Sequence, residues 1–180
     1  MALDEIILPI TKPETEWVRG RALQKMSPTR DHGRLQMKLA SLLDAWSRGR
    51  GEVATEWRFR IGLPGGPLRP LVPDISFVAF EQLRGLEREA IQTPAFAPTV
   101  AIEVLSRGDD PRDVASKIDV YLRGGSLLVI IVDPASRSMT LHDIGAVTAL
   151  GERDTLRHPA LPEFELALGD LFASALDLPT

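Results

Sequence analysis

Apolar positions between Ser27 and Trp46 recur at helical spacing. Leu35, Leu39, Leu42, Leu43 and Trp46 share one side of SPTRDHGRLQMKLASLLDAW, which predicts a long helix that Ser27 or Asp31 could cap and that Gly49-Arg50-Gly51 ends. The period then changes to two. In EVATEWRFRI, Val53, Thr55, Trp57, Phe59 and Ile61 share one face and Glu52, Glu56, Arg58 and Arg60 the other, so one half-buried strand is expected over 52–61. GLPGGPLRP is a turn-rich connection. PDISFVAF reads as a second strand, with Pro73 at its first position, where a missing N–H is tolerated. Residues 81–98 read as an irregular excursion with room for a short helix. TVAIEVLS is a third strand, and LLVIIVD, apolar throughout, fits a strand covered on both faces. SMTLHDI and AVTAL predict a hairpin that turns near Gly145, and LPEFELALGDLFASAL a short closing strand and a helix. No repeat, low-complexity tract or linker interrupts the chain. These elements predict one α/β (α+β) domain over 1–180, a mixed central sheet flanked by helices.

The stretch TVAIEVLSRGDDPRDVASKIDVYLRGG breaks its own pattern twice. In the strand, Val100, Ile102 and Val104 take one face and Ala101, Glu103 and Leu105 the other, so a carboxylate stands where an apolar residue is expected. Asp110 can cap the following helix, Pro111 suits its first position, and Asp113 falls where a negative charge favours the dipole. Val114, Ile118, Tyr121 and Leu122 form its apolar stripe, and Lys117 lies inside that stripe. An unpaired buried charge is prohibitively unfavourable. If the helix packs back over the sheet, Lys117 can reach Glu103, and Asp74 is a second carboxylate at the head of a strand. Two carboxylates from neighbouring strands with one lysine suit a hard divalent cation and phosphate chemistry. Patterning also permits plainer readings. Glu103 and Lys117 fit a structural ion pair, Asp113 and Lys117 an i,i+4 surface pair, and Asp74 a turn residue.

Charge and composition narrow the partners. The net charge of −4 argues against a generic polyanion binder, yet residues 1–70 carry 12 Lys and Arg against 8 Asp and Glu, while residues 71–180 carry 9 against 17. A basic part beside an acidic part fits a nucleic-acid face beside a metal-binding cleft, and equally a solvated but uneven surface. The absence of cysteine excludes disulfides and thiolate zinc sites. His32, His142 and His158 lack metal-ligand spacing, and neither a GxxxxGK[ST] phosphate loop nor a GxSxG nucleophile turn occurs. The start, MALDEIILPITKPE, is too acidic and too weakly apolar for a signal peptide, and LLVIIV is too short to span a bilayer. The expectation is a soluble cytoplasmic protein.

VPDISFV, AIEVLSRGDDPRDVASKIDVYLRGG and LLVIIVDPASRSMTLH together resemble the Uma-two type of restriction endonuclease, within the PD-(D/E)XK nuclease superfamily. TEWVRGRALQKMSPTRDHGRLQMKLASLL resembles that family's opening hairpin and first helix, and LPEFELALGDLF its close, so the likeness covers nearly the whole chain. The resemblance implies a restriction-endonuclease-like core and a DNA endonuclease that hydrolyses phosphodiester bonds. It implies Asp74 and Glu103 as ligands of Mg²⁺ or Mn²⁺, with the Val104 carbonyl as an extra ligand, and Lys117 as the catalytic ammonium. In the superfamily's simplest pattern the lysine lies two residues after the acidic residue, a position held here by Leu105. The family's pattern moves it to the next helix. A proline common after the EVLS serine is Arg107 here. Glu16 and His32 match further family positions, though Glu16 also fits a surface carboxylate beside Arg19 and His32 a capping or packing residue. Tyr121 is expected in the core. A homodimer is expected by analogy with nucleases that cut both strands. The alternative is a nuclease-fold nucleic-acid-binding or regulatory module without significant cleavage.

Overall fold

The structure, a computed structural model, describes residues 4–178. It opens with a hairpin of β1 (Thr15–Val18) and β2 (Arg21–Gln24). Its two-residue turn, Arg19-Gly20, has both φ values positive (49° and 75°), the primed-turn geometry that matches the twist of paired strands. Helix α1 (Arg30–Ser47) follows. Its cap is Thr29, whose hydroxyl accepts from the His32 N–H, and not Ser27 or Asp31. Leu35, Leu39 and Leu43 are its buried stripe, while Leu42 lies 43% exposed.

The strand expected over 52–61 is two strands. β3 (Gly51–Thr55) and β4 (Phe59–Ile61) are separated at Glu56, which adopts a left-handed φ of 53°. That turn sends the chain out of one sheet and into another. Among the described residues β4 pairs only with β5 (Arg69–Leu71), in a separate two-stranded ribbon. β6 (Ile75–Ala79) returns antiparallel to β3. The excursion over 81–98 holds two short helices, α2 (Phe80–Leu83) and α3 (Arg88–Gln92).

β7 (Val100–Val104), α4 (Pro111–Arg123) and β8 (Leu128–Asp133) make a crossover between parallel strands. Asp110 caps α4 by accepting from the Arg112 N–H, and Pro111 opens the helix, as expected. β9 (Ser138–His142) and β10 (Val147–Leu150) form the hairpin turning at Gly145, where Asp143 accepts from the Gly145 and Ala146 N–H groups. β11 (Thr155–His158), absent from the sequence reading, pairs with β12 (Leu161–Ala167), and α5 (Leu168–Leu176) closes the described chain. The central sheet runs β10-β9-β8-β7-β6-β3, with only β7–β8 parallel. This is the mixed α/β architecture expected.

The sheet separates two apolar clusters. One joins Ile75, Phe77, Val100, Ile102, Val104, Leu128, Ile130 and Val132 to α1, α5 and the β11–β12 ribbon. The other joins Ala101, Val129 and Ile131 to α4 and the β4–β5 ribbon. The predicted alternation in β7 is therefore the division between the two cores. Among the described residues no helix is long and apolar enough to cross a membrane.

Candidate active site

The site forms where the β6–β7 ladder stops. Its last paired rung is Ile75 with Ile102. Beyond it the Val104 N–H points toward β6 but meets no strand. The Asp74 carboxylate takes the missing rung, with Oδ2 accepting from Val104 N at 2.7 Å. Because an N–H and a carbonyl of one strand residue leave the same edge, the Val104 carbonyl faces this gap as well. Leu105 N, on the opposite edge, bonds to Val132 O at 2.8 Å.

Glu103 projects from the other face of β7, toward α4. Its Oε1 accepts from the Tyr121 hydroxyl at 2.9 Å and lies 2.6 Å from Lys117 Nζ. Among the described residues no hydrogen bond reaches its Oε2. Lys117 also donates to Glu16 Oε2 at 2.9 Å, and Glu16 Oε1 accepts from the Val72 N–H at 2.7 Å. Glu16 is 2% exposed, so it is a buried partner of Lys117 and not a surface carboxylate beside Arg19. Arg19 and Arg21 instead donate to Asp113, tying the hairpin to α4. Thus the deepest positions of α4 are Asp113, Lys117, Val120 and Tyr121; Val114, Ile118 and Leu122 flank them half-buried. Neither Asp113 nor Lys117 pairs with the other. Tyr121 is fully buried, as its apolar position predicts, and also positions Glu103.

Two groups complete the cluster on the Asp74 side. His32 Nε2 lies 3.2 Å from Asp74 Oδ2, while its buried Nδ1 has no partner among the described residues. Lys25 is the residue that sequence reasoning missed. It sits one residue past β2, and its Nζ contacts Asp74 Oδ1 at 2.5 Å and Val72 O at 2.9 Å. Arg30 and Arg34, the other cations near the start of α1, are committed elsewhere. They donate to the Ser174, Ala175 and Leu176 carbonyls, the unsatisfied end of α5.

The electrostatics follow from this packing. Burial by itself would raise the Asp74 pKa, but the His32 hydrogen bond and the charges of Lys25, His32 and Lys117 outweigh it and hold the carboxyl well below its usual range. Burial pushes Glu103 up to about 7, with Asp74 and Glu16 adding to the rise and Lys117 and Lys25 opposing it. Burial disfavours both ammonium ions, yet the surrounding carboxylates win: Asp74 leads for Lys25 and Glu103 for Lys117, and both stay charged. His32 is raised too, since the Asp74 hydrogen bond and charge exceed its desolvation.

Glu16, Lys25, His32, Asp74, Glu103, Val104 and Lys117 all line one cavity of about 260 Å³. Every sequence-predicted site residue is therefore brought together. Six acidic side chains line the cavity, against Arg21, Lys25, Lys117 and His32. A polyanion entering it would meet net repulsion unless a cation accompanied it. Among the described residues no three His, Cys, Asp or Glu side chains gather at metal-ligand spacing. The oxygen donors with free lone pairs facing the cavity include the Asp74 and Glu103 carboxylates and the Val104 carbonyl. That set is wrong for zinc but suits Mg²⁺ or Mn²⁺, since Mg²⁺ binds through one or two carboxylates and keeps several waters. Glu103 Oε2 and the second lone pair of Asp74 Oδ1 are the free acceptors.

Comparison with known proteins agrees with this architecture. The family model Uma2, described as "Putative restriction endonuclease", matches residues 6–169. Among solved structures, a putative nuclease belonging to DUF820 from Anabaena variabilis has a similar fold. The TM-score is 0.83 at 23% sequence identity, over 94% of this chain and 95% of that one. No curated protein compared with the chain matches it.

Proposed function

Because the chain belongs to the Uma2 family of restriction-endonuclease-like proteins, we propose that it is a divalent-metal-dependent DNA endonuclease. It hydrolyses phosphodiester bonds at the cleft between the ends of β6 and β7 and helix α4. The observation that carries this reading is the convergence of Asp74 and Glu103, from neighbouring strands, on one cavity with Lys117 against Glu103. Asp74, Glu103 and the Val104 carbonyl would hold Mg²⁺ or Mn²⁺. A bound cation of this kind polarises a phosphoryl oxygen and lowers the pKa of a water.

The remaining roles belong to the protein's own groups. Lys117 orients the attacking water or offsets charge growing on the phosphate, where a fixed ammonium is worth more than in solvent. Glu16 and Tyr121 are positioning residues: one fixes the ammonium and the other the Glu103 carboxylate. His32 orients Asp74. The chain acts as one soluble, cytoplasmic domain and pairs as a homodimer to cut both strands, which sedimentation at micromolar protein tests.

Supercoiled plasmid incubated with Mg²⁺, Mn²⁺ or EDTA tests the activity. Nicking and linearisation are expected with either metal and not with EDTA. Asp74→Asn and Glu103→Ala should each lower the rate roughly a thousandfold, as loss of a metal's charge stabilisation implies. Undiminished cleavage by both variants would refute the site. DNA binding without cleavage in either metal would leave a nuclease-fold binding module.

A further inference from the structure

Lys25 stands between two cavities. On one side is the site cavity; on the other is a second cavity, about 440 Å³, lined by Lys12, Glu14, Gln36 and Glu56. Lys25, His32 and Asp74 face both. The Lys25 ammonium rests on Asp74 Oδ1, the oxygen that keeps a free lone pair, because Oδ2 is occupied by Val104 N and His32 Nε2. An ammonium and a divalent cation on that one oxygen would repel strongly at such close range. A second acceptor stands ready. Glu56 Oε1 lies 3.7 Å from Lys25 Nζ and is held by Gln36 Nε2 at 3.0 Å. Glu56 sits at the break between β3 and β4, where its φ is 53°.

We propose that Lys25 governs cation occupancy: its ammonium holds Asp74 when no divalent ion is bound and transfers to Glu56, in the second cavity, when one enters. The inference rests on the metal-dependent reading above. It assigns Lys25 a role separate from Lys117, as a positioning residue that acts through Asp74. A cation can move the ammonium only by its preference for the Glu56-bound arrangement, so removing either partner of that exchange must change cation affinity.

The experiment is a calorimetric titration of Mn²⁺ into folded protein without DNA. Lys25→Met should bind Mn²⁺ at least about tenfold more tightly, because a competing charge is removed. Lys25→Gln, which keeps a donor for Asp74, guards against a Met variant that fails to fold and should shift affinity in the same direction. Glu56→Gln in the wild-type background should weaken binding several-fold. In the Lys25→Met background it should change binding less than about twofold, since Glu56 then has no ammonium to receive. Equal or weaker Mn²⁺ binding by both Lys25 variants, or an undiminished Glu56→Gln effect without Lys25, overturns the exchange. If that binding still depends on Asp74, the metal site itself survives. Absence of Mn²⁺ binding in wild type and in every Lys25 variant overturns both readings.

Discussion

Val100, Ile102 and Val104 leave β7 on one side, and Ala101 and Glu103 leave it on the other. The first side enters an apolar cluster shared with α1, α5 and the β11–β12 ribbon. The second enters a cluster in which the Tyr121 ring is apolar packing and its hydroxyl is a site contact. Side chains on the first side are exchangeable for others of similar volume and shape. On the second side Lys117 is shared by Glu103 and Glu16, so removing it leaves two buried carboxylates without their ammonium. A strand can thus be fixed in place by one face while the other holds charges whose burial opposes folding. The apolar face supplies the stability against which the charged face is held.

Removing the shared cation should have the largest effect. Lys117→Ala leaves Glu16 and Glu103 buried without their ammonium and should destabilise the fold by roughly 3–5 kcal/mol in denaturant unfolding. Lys117→Met keeps most of the stem's bulk. It lacks the same ammonium and should also be destabilised, but below its unfolding midpoint it should bind Mn²⁺ yet cleave DNA far more slowly, with DNA affinity changed less than turnover. Equal cleavage by Lys117→Met and wild type, in folded and metal-loaded protein, would remove Lys117 from the chemistry.

The apolar face offers the complementary test. Ile102 is 1% exposed, and Ile102→Ala should lose about 2–5 kcal/mol through transfer and cavity terms. Below its unfolding midpoint, however, the variant should keep wild-type Mn²⁺ affinity. A loss of cation affinity as large as the loss of stability would mean that the two faces are coupled and that the division drawn along β7 is wrong.

The sequence made some of this legible and hid the rest for identifiable reasons. Glu103 and Lys117 each violated a strong local period, so the strand–helix unit announced its own exceptions. Asp74 showed only as an ionisable group at the head of a strand, and Glu16 and His32 needed the family resemblance, because β1 has only four residues and its pattern marks no exception. Lys25 left no signal: it sits past a short strand, and its partner Asp74 is 49 positions away. The break at Glu56 was invisible because a left-handed residue other than glycine has no compositional mark, and alternation continued across it. Thr29, Ser27 and Asp31 can all cap a helix, so only geometry chose Thr29.

The gentlest test reads the charged face through pH, in EDTA. Glu103 has a value of about 7 in the fold against an ordinary 4.5. Between these values the folded protein binds a proton that the unfolded chain has released, so stability should fall as pH rises through this window. One proton limits the slope to about 1.4 kcal/mol per pH unit. Asp74 has the opposite sign: held low, its contribution is present above its ordinary value of 3.8 and is lost as pH falls below it. His32 is raised above 6.5, so its contribution is lost as pH rises, in the same direction as Glu103. Glu103→Gln separates them, because the amide oxygen still accepts from Tyr121 while His32 and Asp74 remain. The variant should lose most of the decline between pH 4.5 and 7 and keep the acid-side loss. Superimposable stability profiles for wild type and Glu103→Gln across that window would show that Lys117 keeps Glu103 ionised throughout. The charged face would then oppose folding far less than its burial implies.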